Sequence, residues 1–104
     1  MTAPEVAAPP LRAAIVGHVA VRDADKWARY VAAVPATLAP WHGEIAMRGE
    51  QRLALNGMQH GTHVVVIRFP DVAAIDAWYR SAPYQALIPL RDEAADVVLS
   101  AYQT

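Results

Sequence analysis

Alternating and clustered apolar residues predict four β-strands in this chain. The predicted strands cover residues 13–22, 44–55, 62–69 and 96–102. All four residues at 64–67 are β-branched, which makes the third strand the strongest of these signals. Asn56 and Gly57 both tolerate positive φ, so this dipeptide predicts a two-residue hairpin turn between the second and third strands.

Apolar residues at helical spacing predict two main helices between the strands. Asp23 stands at the N-cap position of the first, which carries Trp27, Tyr30, Val31, Val34 and Leu38 on one face and is ended by Pro40. Asp71 caps the second, and Ser81 can cap a short further helix with Pro83 in its first turn. The resulting order βαββαβ predicts an α+β fold, a ferredoxin-like subunit with a four-stranded antiparallel sheet.

The period of two divides the strand residues into two faces. One set is apolar and should lie under the helices: Ile15, Gly17, Val19, Val21, Ile45, Met47, Val65, Ile67, Phe69, Val97, Leu99 and Ala101. The other set mixes small apolar and polar residues: Val16, His18, Ala20, Ala46, Arg48, Thr62, Val64, Val66, Arg68, Val98, Ser100 and Tyr102. A wholly solvent-facing sheet surface would not normally carry so many valines and alanines, so we expect a second copy of the chain to cover this face. The pair of sheets would enclose a partly polar cavity near His18, Arg48, Arg68 and Tyr102.

Composition limits the organisation and the partners of the chain. A length of 104 residues fits one domain, which we place at residues 13–104, after a flexible Ala/Pro-rich N-terminal arm at residues 1–12. The net charge of -1 provides no basic field for nucleic acid, and the absence of cysteine excludes disulfides and thiolate sites. No apolar run approaches the roughly 18 residues of a membrane span, and the opening residues lack a basic segment and an apolar segment. We therefore expect a cytoplasmic protein that binds neither nucleic acid nor membranes.

Several motifs after Ala13 form a set that is informative as a whole. They are Gly17-His18-Val19, Tyr30 with Val34-Pro35-Ala36-Thr37-Leu38-Ala39-Pro40, Met47-Arg48-Gly49, Val65-Val66-Ile67-Arg68-Phe69-Pro70, Ala77-Trp78-Tyr79-Arg80-Ser81-Ala82-Pro83-Tyr84-Gln85, and Leu90-Arg91. The spacing of Trp78, Tyr79, Ser81 and Tyr84 with the later Arg91 is the most specific part. Together these motifs resemble the family catalogued as domain of unknown function 1330, within the dimeric α+β barrel superfamily.

That resemblance implies a homodimer of ferredoxin-like subunits whose sheets form a barrel. It implies no particular activity, because the wider superfamily includes cofactor-independent monooxygenases, haem-binding proteins and small-molecule isomerases. The chain departs from the family pattern at Asn56, where an acidic residue is common, and at His63, where arginine is common. Any ligand contact made by those usual residues would be altered here.

His18 and Arg48 are the first candidate site. An imidazole can exchange a proton near neutral pH and a guanidinium can hold a carboxylate or enolate oxygen, so the pair suits a small acidic substrate. The plainer interpretation is a hydrogen-bonded core histidine and a structurally paired arginine.

Tyr79, Ser81, Tyr84 and Arg91 are the second candidate cluster. Ser81 begins a predicted helix whose free N–H groups could bind an anion, and Arg91 lies about two turns further on. The plainer interpretation makes Ser81 a cap and the aromatic side chains core or interface residues.

Other residues invite site hypotheses that the pattern does not favour. His42, His60 and His63 are expected to be solvated loop histidines rather than metal ligands, because neither cysteine nor a neighbouring acidic residue supports them. Trp27 and Trp78 occupy core helical positions. The chain has no fingerprint for phosphate or dinucleotide binding, so we expect no metal and no cofactor.

Three functional hypotheses remain, and the sequence does not decide whether the chain is an enzyme. The leading one is binding, with or without turnover, of a small, partly apolar anion in the barrel, with His18 as acid/base and Arg48 as anion holder. Arg68, Tyr79, Ser81, Tyr84, Arg91 and Tyr102 are the further candidate substrate-binding residues. The second is a non-catalytic dimeric binding or stress-associated protein with a filled barrel. The third is a cofactor-independent monooxygenase.

Overall fold

The structure is a computed structural model that describes residues 9–58 and 61–104. Its strands are β1 (Ala13–Val21), β2 (Glu44–Glu50), β3 (His63–Phe69) and β4 (Ala95–Gln103). Its helices are α1 (Ala24–Leu38), α2 (Val72–Arg80), α3 (Ala82–Gln85) and α4 (Ile88–Ala94), with a single 3-10 turn at Ala39–Trp41.

The four strands form one antiparallel sheet in the spatial order β2-β3-β1-β4. Residues of α1 and α2 form one core cluster with the alternate strand residues Ile15, Ile67 and Phe69, so both helices cover the same face of the sheet. The predicted α+β, ferredoxin-like subunit is therefore confirmed. We call the covered side the helix face and the other side the open face.

The predicted caps position both long helices. The carboxylate of Asp23 accepts a hydrogen bond from the backbone N–H of Lys26 at 3.1 Å, and Asp71 accepts one from Ala74 at 2.8 Å. Each bond satisfies one of the backbone donors that a helix start leaves free. The start of α1 next to β1 fixes which of its side chains face the sheet.

Trp78 is the centre of the core. Its side chain is 1% exposed, and its ring lies 4.1 Å from that of Tyr84 and 5.6 Å from that of Phe69. The indole N–H donates to the Thr37 hydroxyl at 3.0 Å, and that hydroxyl donates to the Val34 carbonyl at 2.7 Å. The buried polar atoms of Trp78 and Thr37 are thus paired, as an interior of low polarity requires.

The predicted two-residue hairpin at Asn56-Gly57 is wrong. β2 ends at Glu50, which pairs with His63, and residues 51–58 form no strand. Positive φ occurs at Gly57 and at Gly61, but not at Asn56. The reason lies in β1: the N–H of Thr62 donates to the Val19 carbonyl at 3.0 Å, and a Cβ on Gly61 would lie 2.2 Å from that oxygen. The returning chain is therefore held against β1.

The predicted face assignment of β2 is also wrong after Ile45. A β-bulge leaves Ala46 without a partner, so Met47 pairs with Val66 and Arg48 pairs with Val65. The extra residue reverses the faces, because side chains alternate along a strand. Met47 lies on the open face, where it is 52% exposed, and Arg48 lies on the helix face.

The last residues before β1 are hydrogen-bonded to the domain. The N–H of Arg12 donates to the Pro70 carbonyl at 3.3 Å, and the Leu11 carbonyl accepts from Arg68 at 2.7 Å. Residues 1–8 of the predicted N-terminal arm lie outside the described residues.

Candidate functional site

A cleft between α1 and the helix face is the candidate site. Its inner part is a cavity of about 30 Å³. The inner lining consists of Ile15, Val19, Trp27, Tyr30, Val31, Val34, Ile45, Arg48, Val65, Ile67, Trp78, Val97 and Leu99. Arg48 is the one charged member of this lining among the described residues, so the inner cleft is an apolar space with a cation at its edge.

Helix α1 supplies the roof of the cleft. Trp27, Tyr30, Val31 and Val34 follow the i, i+3, i+4, i+7 spacing that puts side chains on one helix face. The rings of Trp27 and Tyr30 are stacked with their centroids 5.1 Å apart. The spacing of Trp27 predicted a core position. In the structure this side chain is only half-buried, and it lines the cleft.

Gly17 lies in the middle of the floor. A Cβ at this position would lie 2.7 Å from Val65 Cγ1 and 2.9 Å from Leu99 Cδ2. The absence of a side chain therefore lets the side chains of β3 and β4 approach each other over β1. Those side chains narrow the inner cleft.

The outer part of the cleft is wider and more polar. It has a volume of about 240 Å³ and shares Val19, Trp27, Arg48 and Val65 with the inner part. Its further lining residues are Gly49, Glu50, His63 and Val64. The β2 bulge is what brings Arg48 here, since a regular strand would direct it to the open face. A guanidinium, a carboxylate and an imidazole thus surround the mouth of an apolar cavity.

His63 is held by its neighbour. Its Nδ1 and the Thr62 hydroxyl are 2.8 Å apart, and Glu50 is its cross-strand partner. The bond engages Nδ1, and Nε2 makes no hydrogen bond within residues 9–58 and 61–104. His63 was predicted to be a solvated loop histidine, but it lies in β3, and its alternation with Val65 and Ile67 is the signal that places it on the helix face.

The structure brings Tyr79, Tyr84 and Arg91 together and adds Tyr30 to them. The Arg91 guanidinium donates to the Tyr84 hydroxyl at 3.1 Å and to the Tyr79 hydroxyl at 3.4 Å. The hydroxyls of Tyr84 and Tyr30 are 2.9 Å apart. We call these four residues the tyrosine–arginine cluster. It links α1, α2, α3 and α4, and its Tyr30 also lines the inner cleft.

Burial and hydrogen bonding shift the pKa values of Tyr30 and Arg91 in this cluster. Burial raises the pKa of Tyr30, and the neighbouring Tyr84 raises that pKa further. Burial lowers the pKa of Arg91, but the hydrogen bonds to Tyr79 and Tyr84 outweigh it and leave the pKa raised. The raised pKa values keep Tyr30 neutral and Arg91 charged.

Ser81 does not join this cluster through its hydroxyl. It occupies the N-cap position of α3, but its hydroxyl donates to the Trp78 carbonyl at 2.6 Å. α3 has four residues. The hydroxyl closes the end of α2, so the cap predicted from Ser81 to the next helix does not form, and the anion site at Ser81 stays a prediction.

His18 and Arg48 do not form a joint site in one subunit, which corrects the pairing expected from the sequence. His18 pairs with Val64 and Val98 on the open face, while the bulge puts Arg48 on the helix face. The sheet therefore separates them. Nδ1 of His18 is enclosed and has no hydrogen-bond partner among the described residues.

Arg68 and Tyr102 lie near one end of the open face. Both flank Ala14, which is four residues from His18 along β1. The Arg68 guanidinium donates to the Leu11 carbonyl, and Tyr102 is largely exposed. These two residues are thus close to each other, and well away from the cleft under α1.

The part of the chain that the structure describes contains no group of three or more His, Cys, Asp or Glu side chains able to hold a metal ion. Of the histidines considered for such a site, His42 ends the 3-10 turn with a φ of 57° and His60 lies outside the described residues. No helix within residues 9–58 and 61–104 has the length and apolarity of a membrane span.

Solved structures with this architecture share little sequence with the chain. The RPA0582 protein of unknown function from Rhodopseudomonas palustris has a TM-score of 0.76 at 21% identity, covering 90% of this chain and 82% of that one. SnoaB from Streptomyces nogalater, described as a cofactor-independent oxygenase, has a TM-score of 0.64 at 12% identity, with coverage of 91% and 94%. A dimeric ferredoxin-like protein of unknown function from Thermobifida fusca has a TM-score of 0.61 at 12% identity, with coverage of 99% and 100%. At these identities the likeness shows the fold alone.

Sequence comparison gives a more direct relationship. No curated protein sequence matches the chain. A family model matches residues 12–103, which include every strand and helix of the structure. The chain therefore belongs to the family described as domain of unknown function 1330.

Proposed function

We propose that the protein binds a small, mostly apolar anion in the cleft under α1. The observation that carries this proposal is the composition of the cleft, an apolar and aromatic space with Arg48 at its edge. Ligand sites in proteins are typically apolar pockets with a few polar groups that fix orientation. Arg48 would hold the anionic group, and Trp27 would contact the apolar body.

The two parts of the cleft favour a ligand with a narrow apolar end. The inner cavity of about 30 Å³ holds little more than one or two water molecules, whereas the outer part of about 240 Å³ can take a ring system. The apolar lining beside Arg48 would shield a bound anion from water on one side, which strengthens its charge-assisted hydrogen bonds to the guanidinium. A neutral molecule of the same shape would lose this interaction.

A titration with 1-naphthoate tests the proposal, with tryptophan fluorescence as the signal because Trp27 lies in the cleft. Arg48→Gln should raise the Kd at least about tenfold, since a hydrogen bond to a charged group contributes about 1.5–3 kcal/mol. Arg80→Gln, at an exposed position on α2 outside the cleft lining, is the matched control and should leave the Kd unchanged. Equal affinities of wild type and Arg48→Gln, or no binding, would contradict the proposal and favour a non-catalytic protein with a filled interior.

Proton transfer, if the ligand is turned over, is assigned to His63 in place of His18. His63 shares the outer cleft with Arg48, whereas His18 is on the other side of the sheet. The hydrogen bond between Nδ1 and Thr62 leaves Nε2 for a ligand. Native mass spectrometry of protein from its own host would give the mass of a retained ligand, and His63→Gln should then reduce turnover while His18→Gln should not.

A cofactor-independent oxygenase activity is a second candidate. SnoaB, which has this fold, is described as such an enzyme, and the aromatic cleft could accept a phenolic ring. Oxygen uptake in the presence of quinol or phenolic compounds tests this activity, and uptake that is equal with and without protein would exclude it for those compounds.

We further propose that the open face joins two copies of the chain. Val16, Val64, Val66 and Val98 surround His18 on this face, and Met47 and Val98 are among the exposed large apolar residues. An apolar patch of this kind marks an interaction surface. Two neighbours of the same fold are described as dimeric. Sedimentation equilibrium should give twice the subunit mass at micromolar concentration, and a monomer would refute this assembly.

A further inference from the structure

Residues 51–58, which we call the apolar loop, expose bulky apolar side chains. Leu53 is 73% exposed, Leu55 is 89% exposed and Met58 is 100% exposed. Every residue from 51 to 58 is exposed. Single exposed apolar residues are common on protein surfaces, but three such side chains within six residues call for a covering surface.

The backbone of the apolar loop makes one hydrogen bond to residues 9–58 and 61–104. The N–H of Gln51 donates to the Thr62 carbonyl at 2.6 Å, and the next six residues make no further hydrogen bond to described residues. Leu53 and Leu55 nevertheless alternate with Arg52 and Ala54, which is the pattern of a half-covered strand. The sequence of the loop thus suits a strand that has no partner strand in the part of the chain that the structure describes.

The base of the apolar loop is continuous with the open face. A shallow pocket connects them and is lined by Met47, Gly49, Glu50, Gln51, Thr62, His63 and Val64. Met47 and Val64 of this lining belong to the open face. A surface that covers the open face would therefore meet the apolar loop at its edge.

The open face alone is small for a stable interface. Four strands of seven to nine residues span roughly 19 Å by 23 Å, or about 440 Å², at the usual strand spacing and rise. A standard interface needs about 800 Å² from each partner. The loop leaves and returns at the bonded pair Gln51 and Thr62, so the ten residues 52–61 can reach at most about half of their extended length, or roughly 16 Å, which covers most of the width of four strands. The loop could therefore add the missing area.

We propose that the apolar loop of each subunit reaches onto the second copy of the chain and packs Leu53, Leu55 and Met58 against it. This inference rests on the homodimer of the proposed function. The two apolar loops pack against the pair of sheets at two symmetry-related places, because a two-fold axis repeats each contact. Contact with the second copy removes these bulky side chains from water. It also supplies hydrogen-bond partners for the backbone of the apolar loop.

The test compares dimer dissociation of the wild type with that of Leu53→Gln/Leu55→Gln. The double variant should raise the dissociation constant at least about 100-fold, since each Leu removed from the interface counts twice in a symmetric dimer. Val72→Gln is the matched control, because Val72 is 38% exposed but lies on α2, away from the loop. Sedimentation velocity over a dilution series measures all three proteins, and circular dichroism verifies their folding.

Amide hydrogen exchange of residues 52–58 provides an independent measurement. Exchange should slow as rising protein concentration drives dimerisation. An unchanged dissociation constant in the double variant overturns the inference while the homodimer stands. Protection that does not depend on concentration overturns it too, since the loop would then cover its own subunit. A wild type that is monomeric at micromolar concentration overturns both the homodimer and this inference.

Discussion

The tyrosine–arginine cluster and the mouth of the cleft each contain an arginine among other polar side chains, but the two arginines differ in their hydrogen bonding. In the cluster, Arg91 donates to Tyr79 and Tyr84, and Tyr84 in turn contacts the Tyr30 hydroxyl. At the mouth, Arg48 and His63 line an open space of about 240 Å³. The first group satisfies its hydrogen bonds internally, whereas the second has bonding capacity left for another molecule. The most specific motif of the sequence is therefore bonded within the fold, and the contrast supports the proposal that a ligand binds at the mouth.

Replacement of Trp78 by alanine should have the largest effect on stability. This side chain is 1% exposed and contacts Tyr84, Phe69 and Thr37, so Trp78→Ala should lower the free energy of unfolding by about 3–5 kcal/mol. Urea denaturation followed by circular dichroism measures the change. Trp27→Ala, at the half-buried cleft roof, should cost less than half as much. If the two variants lost the same free energy of unfolding, the cleft roof would be part of the core, and the difference between core and cleft would not hold.

Removal of the Tyr84 hydroxyl tests whether the cluster acts as one unit. Tyr84→Phe leaves the buried groups of Arg91 and Tyr30 with fewer partners, and we expect a loss of about 1–3 kcal/mol. The double variant with Tyr30→Phe should cost less than the sum of the single variants, because the two hydroxyls share one hydrogen bond. Additive effects in this double-mutant cycle would refute the network.

Alkaline pH should weaken the cluster through Tyr30. Burial raises the folded-state pKa of Tyr30 above its usual value of 10.0. Its contribution to stability is therefore complete below about pH 10 and is lost as the pH rises towards the folded-state pKa, because only the unfolded chain ionises readily. The slope attributable to this group is at most about 1.4 kcal/mol per pH unit. Urea denaturation from about pH 9 to about pH 11 should show a shallower decline for Tyr30→Phe than for wild type, and parallel declines would exclude this assignment.

Local signals explain why the sequence predicted the fold so well. The caps at Asp23 and Asp71 act within three residues, and both form as expected. Strand alternation likewise predicted the faces of β1, β3 and β4. These features depend on the chain near each residue, so they can be recognised without the tertiary structure.

The site was harder to predict because it depends on an irregularity and on contacts between distant segments. The bulge at Ala46 moves Arg48 to the other face, and a period-two pattern assumes that no residue is inserted. The contact between Tyr30 and Tyr84 joins residues 54 positions apart. Trp27 has the spacing of a core residue, and the same spacing serves equally to line a cavity. The sequence therefore pointed to Arg48 but paired it with His18, which lies on the other face of the sheet.

Substitutions at the cleft mouth should have the smallest effect on stability. This result would distinguish the mouth from the tyrosine–arginine cluster most directly. Arg48→Gln and His63→Gln should each change the free energy of unfolding by less than about 0.5 kcal/mol, because Arg48 is exposed and His63 is only half-buried. Arg91→Gln is the matched comparison, and its side chain is 12% exposed and bonded to two tyrosines. It should cost at least about 1.5 kcal/mol, since it leaves buried hydroxyls without their charged donor. If Arg48→Gln were as destabilising as Arg91→Gln, Arg48 would be a structural residue and the cleft would lose its anion holder.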